Sequence, residues 1–579
     1  MSVRQKGTRV AAMLCAGALA LTLAACGADT IVTGKRPNAP APGTMPSVPP
    51  MTAPTQVPLD SLPGYIAPTA SSNGYSKPMV GMPGNVEWQV MDEKGAALDP
   101  SKGEPVAWGT SSTYADIKGV LTFRGSPQRT SPTLGEAEIT QKKLEVVWTH
   151  DIGAVHAEGS YFPGAGWTGQ PLLVNWPAAT KQAMGFTPEH VADKDFVEVV
   201  YPVFDGNIYR LDLQTGKPTR DPIPATFGFK GTGAIDPRGY PLLFAGQGLH
   251  EKDGQTGEFR YRIFDLITNT EIGGIPGTDA QSQRKDPVGW GAWDSSGLID
   301  KRTDTLIEAG ENGLIYKLKL NSSFDPAAKK VTIAPTTTKM LYSTPVSYQR
   351  GIESSPAAWR NLMYANDNDG NLICWDATTM NIVWARADDT SDNADASIAL
   401  DDTPDGPMLY AGNSVGWRGF KRADQVTNLR KVDGLTGKVL WQHDVPAFFN
   451  WHVKGGLVGS PLLGKGEASD LIVFNVARTS SPSEGNLIAL DKATGKVVWN
   501  RQLAKYSWSS PVSITATDGK QYGVFGDSAG ILHLFDMNTG KDYSTISLGG
   551  KNIEASVSAY GNMLVVANYD KKIWGIRVS

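Results

Sequence analysis

Residues 144–152 read LEVVWTHDI, and this stretch decides the fold because it is a strand that lacks its partner. It is a near copy of residues 438–445, KVLWQHDV, but only the later copy follows a Thr-Gly turn and a preceding strand. At the other end of the chain, residues 573–578 read IWGIRV and look like the strand that elsewhere precedes such a copy. An unpaired strand edge is an aggregation hazard that closure removes, so the pattern predicts a ring of sheets fastened by its two ends.

A degenerate repeat runs through the chain between these two ends. Each unit has a tight turn, an Ile/Leu-rich strand, an Asp, then Thr-Gly-Lys and a strand that carries Trp, most clearly in residues 205–217 and 485–499. A period of about 50 residues with four strands per unit is typical of propellers. The sequence therefore predicts an all-β, eight-bladed β-propeller of four-stranded antiparallel blades over residues 144–579. Residues 553–578, completed by residues 144–152, form the last blade. The Asp position of the unit falls at Asp212, Asp265, Lys319 (a degenerate copy), Asp376, Asp433, Asp491 and Asp536.

The repeated residues have structural explanations. The Asp before Thr-Gly can accept hydrogen bonds from backbone N–H groups of the turn. The Trp that follows, at positions 148, 384, 441 and 499, can lie flat between neighbouring blades. We therefore interpret these Asp and Trp residues as scaffold residues rather than catalytic ones.

The first 25 residues are organised like an export signal. Three basic residues precede the apolar stretch 11–23, and small residues then lead to Cys26. The pattern resembles a bacterial lipoprotein signal, which implies cleavage before Cys26, lipidation of that residue and an extracytoplasmic, membrane-anchored protein. A transmembrane helix would need about 20 apolar residues, more than this stretch provides. Gly27, in place of the Asp that retains lipoproteins at the inner membrane, implies the periplasmic side of the outer membrane if the organism has two membranes.

Two further segments precede the propeller. Residues 26–63 are predicted to be the lipidated Cys and a Pro-rich tether, and residues 64–143, which show no repeat, an irregular segment packing on the propeller. Cys374 is expected to be a buried small hydrophobe, because no disulfide framework can form. The chain has 54 basic and 58 acidic residues, a balance that argues against a nucleic-acid partner.

The propeller resembles the PQQ-like (pyrroloquinoline-quinone-like) repeat family of eight-bladed propellers. The resemblance is carried by Leu-Asp-x-x-Thr-Gly-Lys-x-x-Trp forms at 211–217 and 490–499, less perfectly at 432–441 and 535–541, and by a lead-in with Phe123-Arg124-Gly125 and Arg129-Thr130. One branch of that family contains quinoprotein alcohol dehydrogenases. Another contains non-catalytic lipoproteins, including the propeller subunit of the outer-membrane β-barrel assembly machinery.

The two branches imply different chemistry. The enzymatic branch binds its quinone beneath adjacent, disulfide-bonded cysteines and over a calcium or lanthanide held by Glu, Asn and Asp, whereas this chain has no adjacent cysteine pair. We therefore expect a scaffold without cofactor, monomeric by itself. It would bind protein partners through a propeller face, in envelope or outer-membrane protein assembly. The alternative is a PQQ-dependent dehydrogenase, and PQQ and calcium are expected only under that alternative.

Aligning the first strands of the units places four carboxylates near the central funnel. Asp294, Glu353 and Asp395 come from consecutive blades, and Glu554 occupies the equivalent place in the last unit. These carboxylates can converge on a cation or a basic ligand group, since uncompensated carboxylates raise one another's pKa. Alternatively, the funnel is wide and filled with water, and they are merely solvated.

Two aromatic and basic loops are predicted on the same face. Large aromatic residues with Arg are typical of binding hot spots, so these loops are candidates for partner binding. The alternative is that they pack on each other or under residues 64–143. The residues concerned are Trp417, Phe420 and Arg422 in one loop and Phe448, Phe449 and Trp451 in the other.

Overall fold

Strands make up most of the computed structural model, which describes residues 31–33, 56–285, 287–416, 425–450 and 453–579. The strands assemble as antiparallel sheets arranged in succession, as in a β-propeller. Two short helices, Ala178–Ala183 and Pro188–Ala192, interrupt the strands of the first sheet. Among the described residues, no helix combines the length and apolar character needed to cross a membrane.

Seven blades are each built from one contiguous stretch of chain, and their strands pair antiparallel. Their alternating apolar residues face adjacent blades and form buried clusters. The strands are Leu172–Val174, Glu198–Pro202, Asn207–Asp212 and Ile223–Pro224 in blade one; Ala234–Ile235, Leu242–Gly246, Arg260–Asp265 and Thr270–Pro276 in blade two; Leu298–Asp300, Thr305–Ala309, Leu314–Lys319 and Thr336–Ser343 in blade three; Ala357–Trp359, Leu362–Asn366, Leu372–Asp376 and Ile382–Arg386 in blade four; Ala399–Thr403, Gly406–Ala411, Val426–Asp433 and Val439–Pro446 in blade five; Gly456–Leu457, Leu462–Leu463, Leu471–Ala477, Gly485–Asp491 and Val497–Leu503 in blade six; and Val512–Ala516, Gln521–Gly526, Ile531–Asp536 and Asp542–Ser547 in blade seven.

A composite sheet, here called the closing sheet, joins the two ends of the propeller. Ser558–Tyr560, Met563–Asn568 and Lys572–Val578 supply its inner strands, and Leu144–Asp151 is its outer strand. Lys572 pairs with Asp151 and Val578 with Leu144, with a bulge between Gly575 and Ile576. This pairing is the one predicted for residues 144–152.

The prediction of an eight-bladed propeller of four-stranded antiparallel blades is wrong. The structure has seven contiguous blades, whose strand number varies, and a closing sheet of different construction. Thr133–Leu134 adds to the closing sheet and Glu136–Ala137 to blade seven, both in parallel with the innermost strands. The innermost and outermost strands leave unpaired backbone groups, and segments from outside the repeats cover several of them.

Residues 64–143, predicted to be irregular, are partly regular. Thr69–Ser71, Gly74–Pro78 and Asn85–Asp92 form strands, and the last pairs with the outer strand of blade three to give a seven-stranded sheet. Gly119–Val120 pairs with the innermost strand of blade one. This segment is therefore an integral part of the propeller.

The predicted tether, residues 26–63, is held at both of its described ends. Ile31–Thr33 pairs with the outer strand of blade six, with Ile31 opposite Arg501 and Thr33 opposite Trp499. At the other end, the backbone N–H of Val57 donates to Asn361 Oδ1 over 2.7 Å, and Leu62 is buried against blade four. Cys26 lies outside the described residues.

Residues 121–131, here called the hub, fill the centre of the ring. The buried Arg124 donates to the carbonyl oxygens of Pro511 at 2.8 Å and Pro461 at 3.1 Å. Arg129, also buried, donates to the carbonyls of Pro356 at 2.9 Å and Ser296 at 2.6 Å. Burial lowers the pKa of Arg124 to about 9 and that of Arg129 to about 10. Carbonyl oxygens of four blades thus satisfy the two guanidinium groups.

The repeated Trp and Thr-Gly residues form a contact between neighbouring sheets, here called the latch. Trp148 Nε1 of the closing sheet donates to the carbonyl of Leu213 in blade one over 2.9 Å, and its ring lies against Gly216 of the Thr-Gly turn. Gly216 has a φ of 67°, which favours glycine. The same latch joins Trp384 to Gly437, Trp441 to Gly495 and Trp499 to Gly540.

Candidate functional site

One face of the ring is here called the funnel face. It carries the loops that enter the innermost strands and the loops that join the second and third strands of each blade. Asp294, in the loop that enters blade three, is buried beside Lys230 of blade two, and both side chains border Gly248. Burial lowers the pKa of Lys230, but Asp294 and other nearby carboxylates more than offset this and raise it above its ordinary value. Burial raises the pKa of Asp294 to about 7, although Lys230 opposes this.

Glu353 and Asp395 are connected through two buried amides. Asn368 Nδ2 donates to Glu353 Oε1 over 2.7 Å, and Asn393 Nδ2 donates to Asp395 Oδ1 over 2.8 Å. The two amides are themselves joined, since Asn368 Nδ2 also lies 2.8 Å from Asn393 Oδ1. Burial and then the charge of Glu353 raise the pKa of Asp395 to about 7.

Glu311 is a member of this acidic group that the sequence analysis missed. Its Oε2 accepts a hydrogen bond from Trp290 Nε1 over 2.5 Å and lies 4.0 Å from Arg284 Nη1. Burial, then Glu353 and Asp294, raise its pKa well above the ordinary value. Glu311 begins the Glu-Asn-Gly turn of blade three, a position that opens on the funnel face, and this position is the signal that could have identified it.

Glu554 has a separate set of partners. Tyr569 Oη donates to Glu554 Oε2 over 2.7 Å and Asn552 Nδ2 donates to Oε1 over 2.9 Å. Burial raises the pKa of Glu554, and its hydrogen bonds oppose this. The structure therefore brings Asp294, Glu353 and Asp395 together with Glu311, whereas Glu554 belongs to another part of the face.

The acidic group is balanced in part by cations of the chain itself, Lys230 and Arg284. In the part of the chain that the structure describes, no group of three or more His, Cys, Asp or Glu side chains is arranged to hold a metal ion. The sequence also lacks the adjacent cysteine pair that the enzymatic branch places over its quinone. Cys374, the cysteine within the described residues, is a buried, free thiol of blade four and has no adjacent cysteine.

Aromatic side chains surround Lys230 on the funnel face. Its Nζ lies 5.2 Å from the ring centre of Trp167, 5.7 Å from that of Phe162 and 5.9 Å from that of Trp290. These are cation–π distances, so the three rings and the ammonium group hold one another in place. The rings are half-buried and remain partly accessible to a ligand.

The aromatic surface continues toward blades six and seven. Trp167 packs edge-on against Trp508 at 5.8 Å, and Trp508 contacts Tyr506 at 5.7 Å. The guanidinium of Arg478 lies over both of these rings, at 4.6 Å from Trp508 and 4.2 Å from Tyr506. We call this continuous group, from Trp290 through Lys230 and Trp167 to Trp508, Tyr506 and Arg478, the aromatic arc.

The two loops predicted for partner binding are described in part. Trp417, Phe420, Arg422 and Trp451 lie outside the described residues. Phe449 is 7% exposed and packs with Val415 and Ala447. Its side chain is therefore buried within the protein. Phe448 is half-buried, and its backbone N–H donates to the carbonyl of Arg478 over 2.6 Å, next to the aromatic arc.

Comparison with known proteins shows which family the later repeats resemble. The family model described as "Outer membrane protein assembly factor BamB" matches residues 323–477 and 483–578, which run from the end of blade three to the closing sheet. Over these residues, which are less than half of the chain, the repeats are similar to that family. The hub and blades one and two lie outside the match.

Two curated relatives show limited similarity. The outer membrane protein assembly factor BamB of Kangiella koreensis is 23% identical over 197 residues, which are 34% of this chain and 42% of the relative. The tetrathionate hydrolase of Acidithiobacillus ferrooxidans is 23% identical over 261 residues, 42% of this chain and 47% of the relative. The chain thus spans less than half of the length of each relative.

Two solved structures are similar to this chain. A quinohemoprotein alcohol dehydrogenase from Pseudomonas putida has a TM-score of 0.50 at 11% identity and covers 79% of this chain and 80% of its own. BamB from Moraxella catarrhalis has a TM-score of 0.44 at 17% identity and covers 66% of this chain and 93% of its own. At these identities, the likeness concerns the fold alone.

Proposed function

We propose that this chain is a non-catalytic lipoprotein scaffold, anchored through Cys26, that binds protein partners on its funnel face during assembly of envelope or outer-membrane proteins. The family match to BamB supports the assembly role, and the sequence of residues 1–26 supports the anchor. If the organism has two membranes, the protein lies on the periplasmic side of the outer one.

The aromatic arc is the observation that carries this proposal. Trp, Tyr and Arg side chains dominate binding hot spots because they contribute large contact areas. In this arc the rings and cations are already fixed by contacts with one another, so a partner would lose little side-chain entropy in binding them.

The charge of the face adds selectivity. The arc carries Lys230 and Arg478, and the acidic group adjoins it where Trp290 donates to Glu311 and Lys230 lies beside Asp294. A polypeptide that binds on this face would meet the aromatic arc with its two cations and, next to it, the acidic group. Such complementarity sets orientation and association rate more than affinity.

Site-specific crosslinking in cells tests the proposal. A photo-crosslinking residue at Trp508 is expected to capture a protein partner, whereas the same residue at the exposed Lys217, on the opposite face, is expected to capture none. Combined with the crosslinker at position 508, Arg478→Ala should reduce the amount of partner captured. Tyr543→Ala, which removes an exposed aromatic side chain elsewhere, should leave that amount unchanged. Equal capture at both positions, or capture indifferent to Arg478, would contradict the proposed binding face.

The anchor has its own test. Cys26→Ser is expected to move the protein from the membrane fraction to the aqueous one, and mass spectrometry of the N-terminal peptide should show acyl chains on the natural protein only. The alternative function, a PQQ-dependent dehydrogenase, has support from the fold alone. Binding spectra with added PQQ and calcium are expected to show no bound quinone.

A further inference from the structure

The strand Ile31–Thr33 fixes where the lipid anchor can reach. It pairs along the outer edge of blade six, so the chain is held to the propeller five residues after Cys26. Five extended residues span at most about 17 Å. A tether free from Cys26 to the next described residue, Gln56, would reach about 90 Å in polyproline geometry. Ile31–Thr33, and not Gln56, is therefore the described segment that limits the reach of the anchor.

The direction of this strand shows at which end of the edge of blade six Ile31 lies. The pairing is antiparallel, and Ile31 lies opposite Arg501, toward the end of the outer strand at Leu503. That strand leads directly into the loop with Tyr506 and Trp508, which opens on the funnel face. Ile31, the first residue of this strand, therefore lies at the funnel-face end of the edge of blade six.

The side chains at this place have the character of a membrane-contacting surface. Lys454 and Lys505 are exposed, and Arg478 is half-buried over Tyr506 and Trp508. Tyr and Trp favour the boundary between headgroups and hydrocarbon, and Lys and Arg attract anionic lipids. The described loop from Arg478 to Glu484 contains one acidic residue, Glu484. Its carboxylate accepts a hydrogen bond from Ser480.

We propose that the funnel-face rim of blade six, formed by Lys454, Arg478, Lys505 and Tyr506, rests on the lipid bilayer, so that the funnel opens toward the membrane. This inference rests on the proposed lipidation of Cys26. It adds to the proposed function a class of partner: chains in or at the membrane reach the aromatic arc, whereas the Thr-Gly turns of the opposite face point away from the bilayer.

Fluorescence transfer from single labels to the bilayer tests this orientation. The lipidated full-length protein is reconstituted in vesicles of phosphatidylethanolamine and phosphatidylglycerol that carry an acceptor dye on a headgroup. A donor is placed at Lys505→Cys on the rim or, as the matched control, at Lys217→Cys on the opposite face; the buried Cys374 stays unlabelled. Transfer from position 505 is expected to be several-fold stronger than from position 217.

Two variants separate the inference from the anchor on which it rests. A Gly-Ser insertion of about twelve residues between Gly27 and Ala28 lengthens the link ahead of Ile31 and is expected to reduce the difference between the labels. Cys26→Ser is expected to abolish transfer from both. Equal transfer from both labels in a membrane-bound protein would overturn the orientation and leave the anchor standing. Vesicle binding that Cys26→Ser does not change would overturn both.

Discussion

The latch between Trp148 and Gly216 gives a sharp prediction about how the ring is closed. In Gly216→Ala, the new Cβ would lie 2.4 Å from Trp148 Cδ2 and Cε3, whereas ordinary van der Waals contact begins at 3.4 Å. The ring must therefore move by about 1 Å, at a cost of about 1–3 kcal/mol for overpacking. Loss of the hydrogen bond to Leu213 adds about 1 kcal/mol, and the positive φ of Ala about 1 kcal/mol more. We expect Gly216→Ala to lower the free energy of unfolding by about 3–5 kcal/mol.

Gly254→Ala is the matched control. Gly254 also has a positive φ, 88°, but its Cβ would meet nothing within 4 Å. This variant should lose only the backbone component, about 1 kcal/mol. Urea denaturation followed by circular dichroism measures both. Hydrogen exchange should also show faster exchange of residues 144–151 and 572–578 in Gly216→Ala only, because the latch holds the closing sheet to blade one.

A double-mutant cycle identifies the contact responsible. Trp148→Ala alone should cost about 3–5 kcal/mol. In its presence Gly216→Ala should cost only about 1 kcal/mol, because the clash has been removed, so the two effects are not additive. Equal losses in Gly216→Ala and Gly254→Ala, or strict additivity in the cycle, would refute the latch as the reason for this glycine.

Three other predictions follow from buried groups. Arg124→Leu leaves the carbonyls of Pro461 and Pro511 without a donor and should cost about 3–6 kcal/mol, whereas Arg302→Leu, at a side chain 36% exposed, should cost under about 1 kcal/mol in the same urea titration; similar losses would contradict the hub. The pKa of Asp395 is raised from 3.8 to about 7 in the folded state, so the folded protein binds more protons between these values and its stability falls as the pH rises through them. Asp395→Asn should make that fall smaller, as measured by unfolding at pH 5 and pH 8; parallel curves would count against it. Burial raises the pKa of the Cys374 thiol well above its usual range, so labelling with a thiol reagent should be slow in the native state and fast in urea, and rapid native labelling would disprove the burial.

The repeat made the closed ring predictable from sequence. The positions of the segments outside the repeat could not be predicted in this way. Trp148 could be recognised as the end of an incomplete unit because Trp384, Trp441 and Trp499 repeat its surroundings. The repeat could not show that Ile31–Thr33 or Asn85–Asp92 would add to sheet edges, because backbone pairing at an edge requires little of the side chains.

The same contrast applies to the candidate site. Asp294, Glu353 and Asp395 were found by their equivalent position in consecutive units, whereas Glu311 occupies a turn where Glu has an ordinary structural explanation. The aromatic arc was missed for another reason. Its members come from loops of blades one, two, three, six and seven, and only the closed ring brings Lys230 near Trp167 and Trp290.

The hub makes the finished propeller dependent on the whole chain. Arg124 is synthesised before any blade, yet two carbonyl groups that accept its hydrogen bonds lie 337 and 387 residues later. Until those residues are made, the guanidinium group of Arg124 must stay in contact with water, because its charge cannot be buried without hydrogen-bond acceptors. A product that ends early cannot bury it, and remains open to chaperones and proteases. The earliest part of the propeller thus acts as a check that the last part has been made.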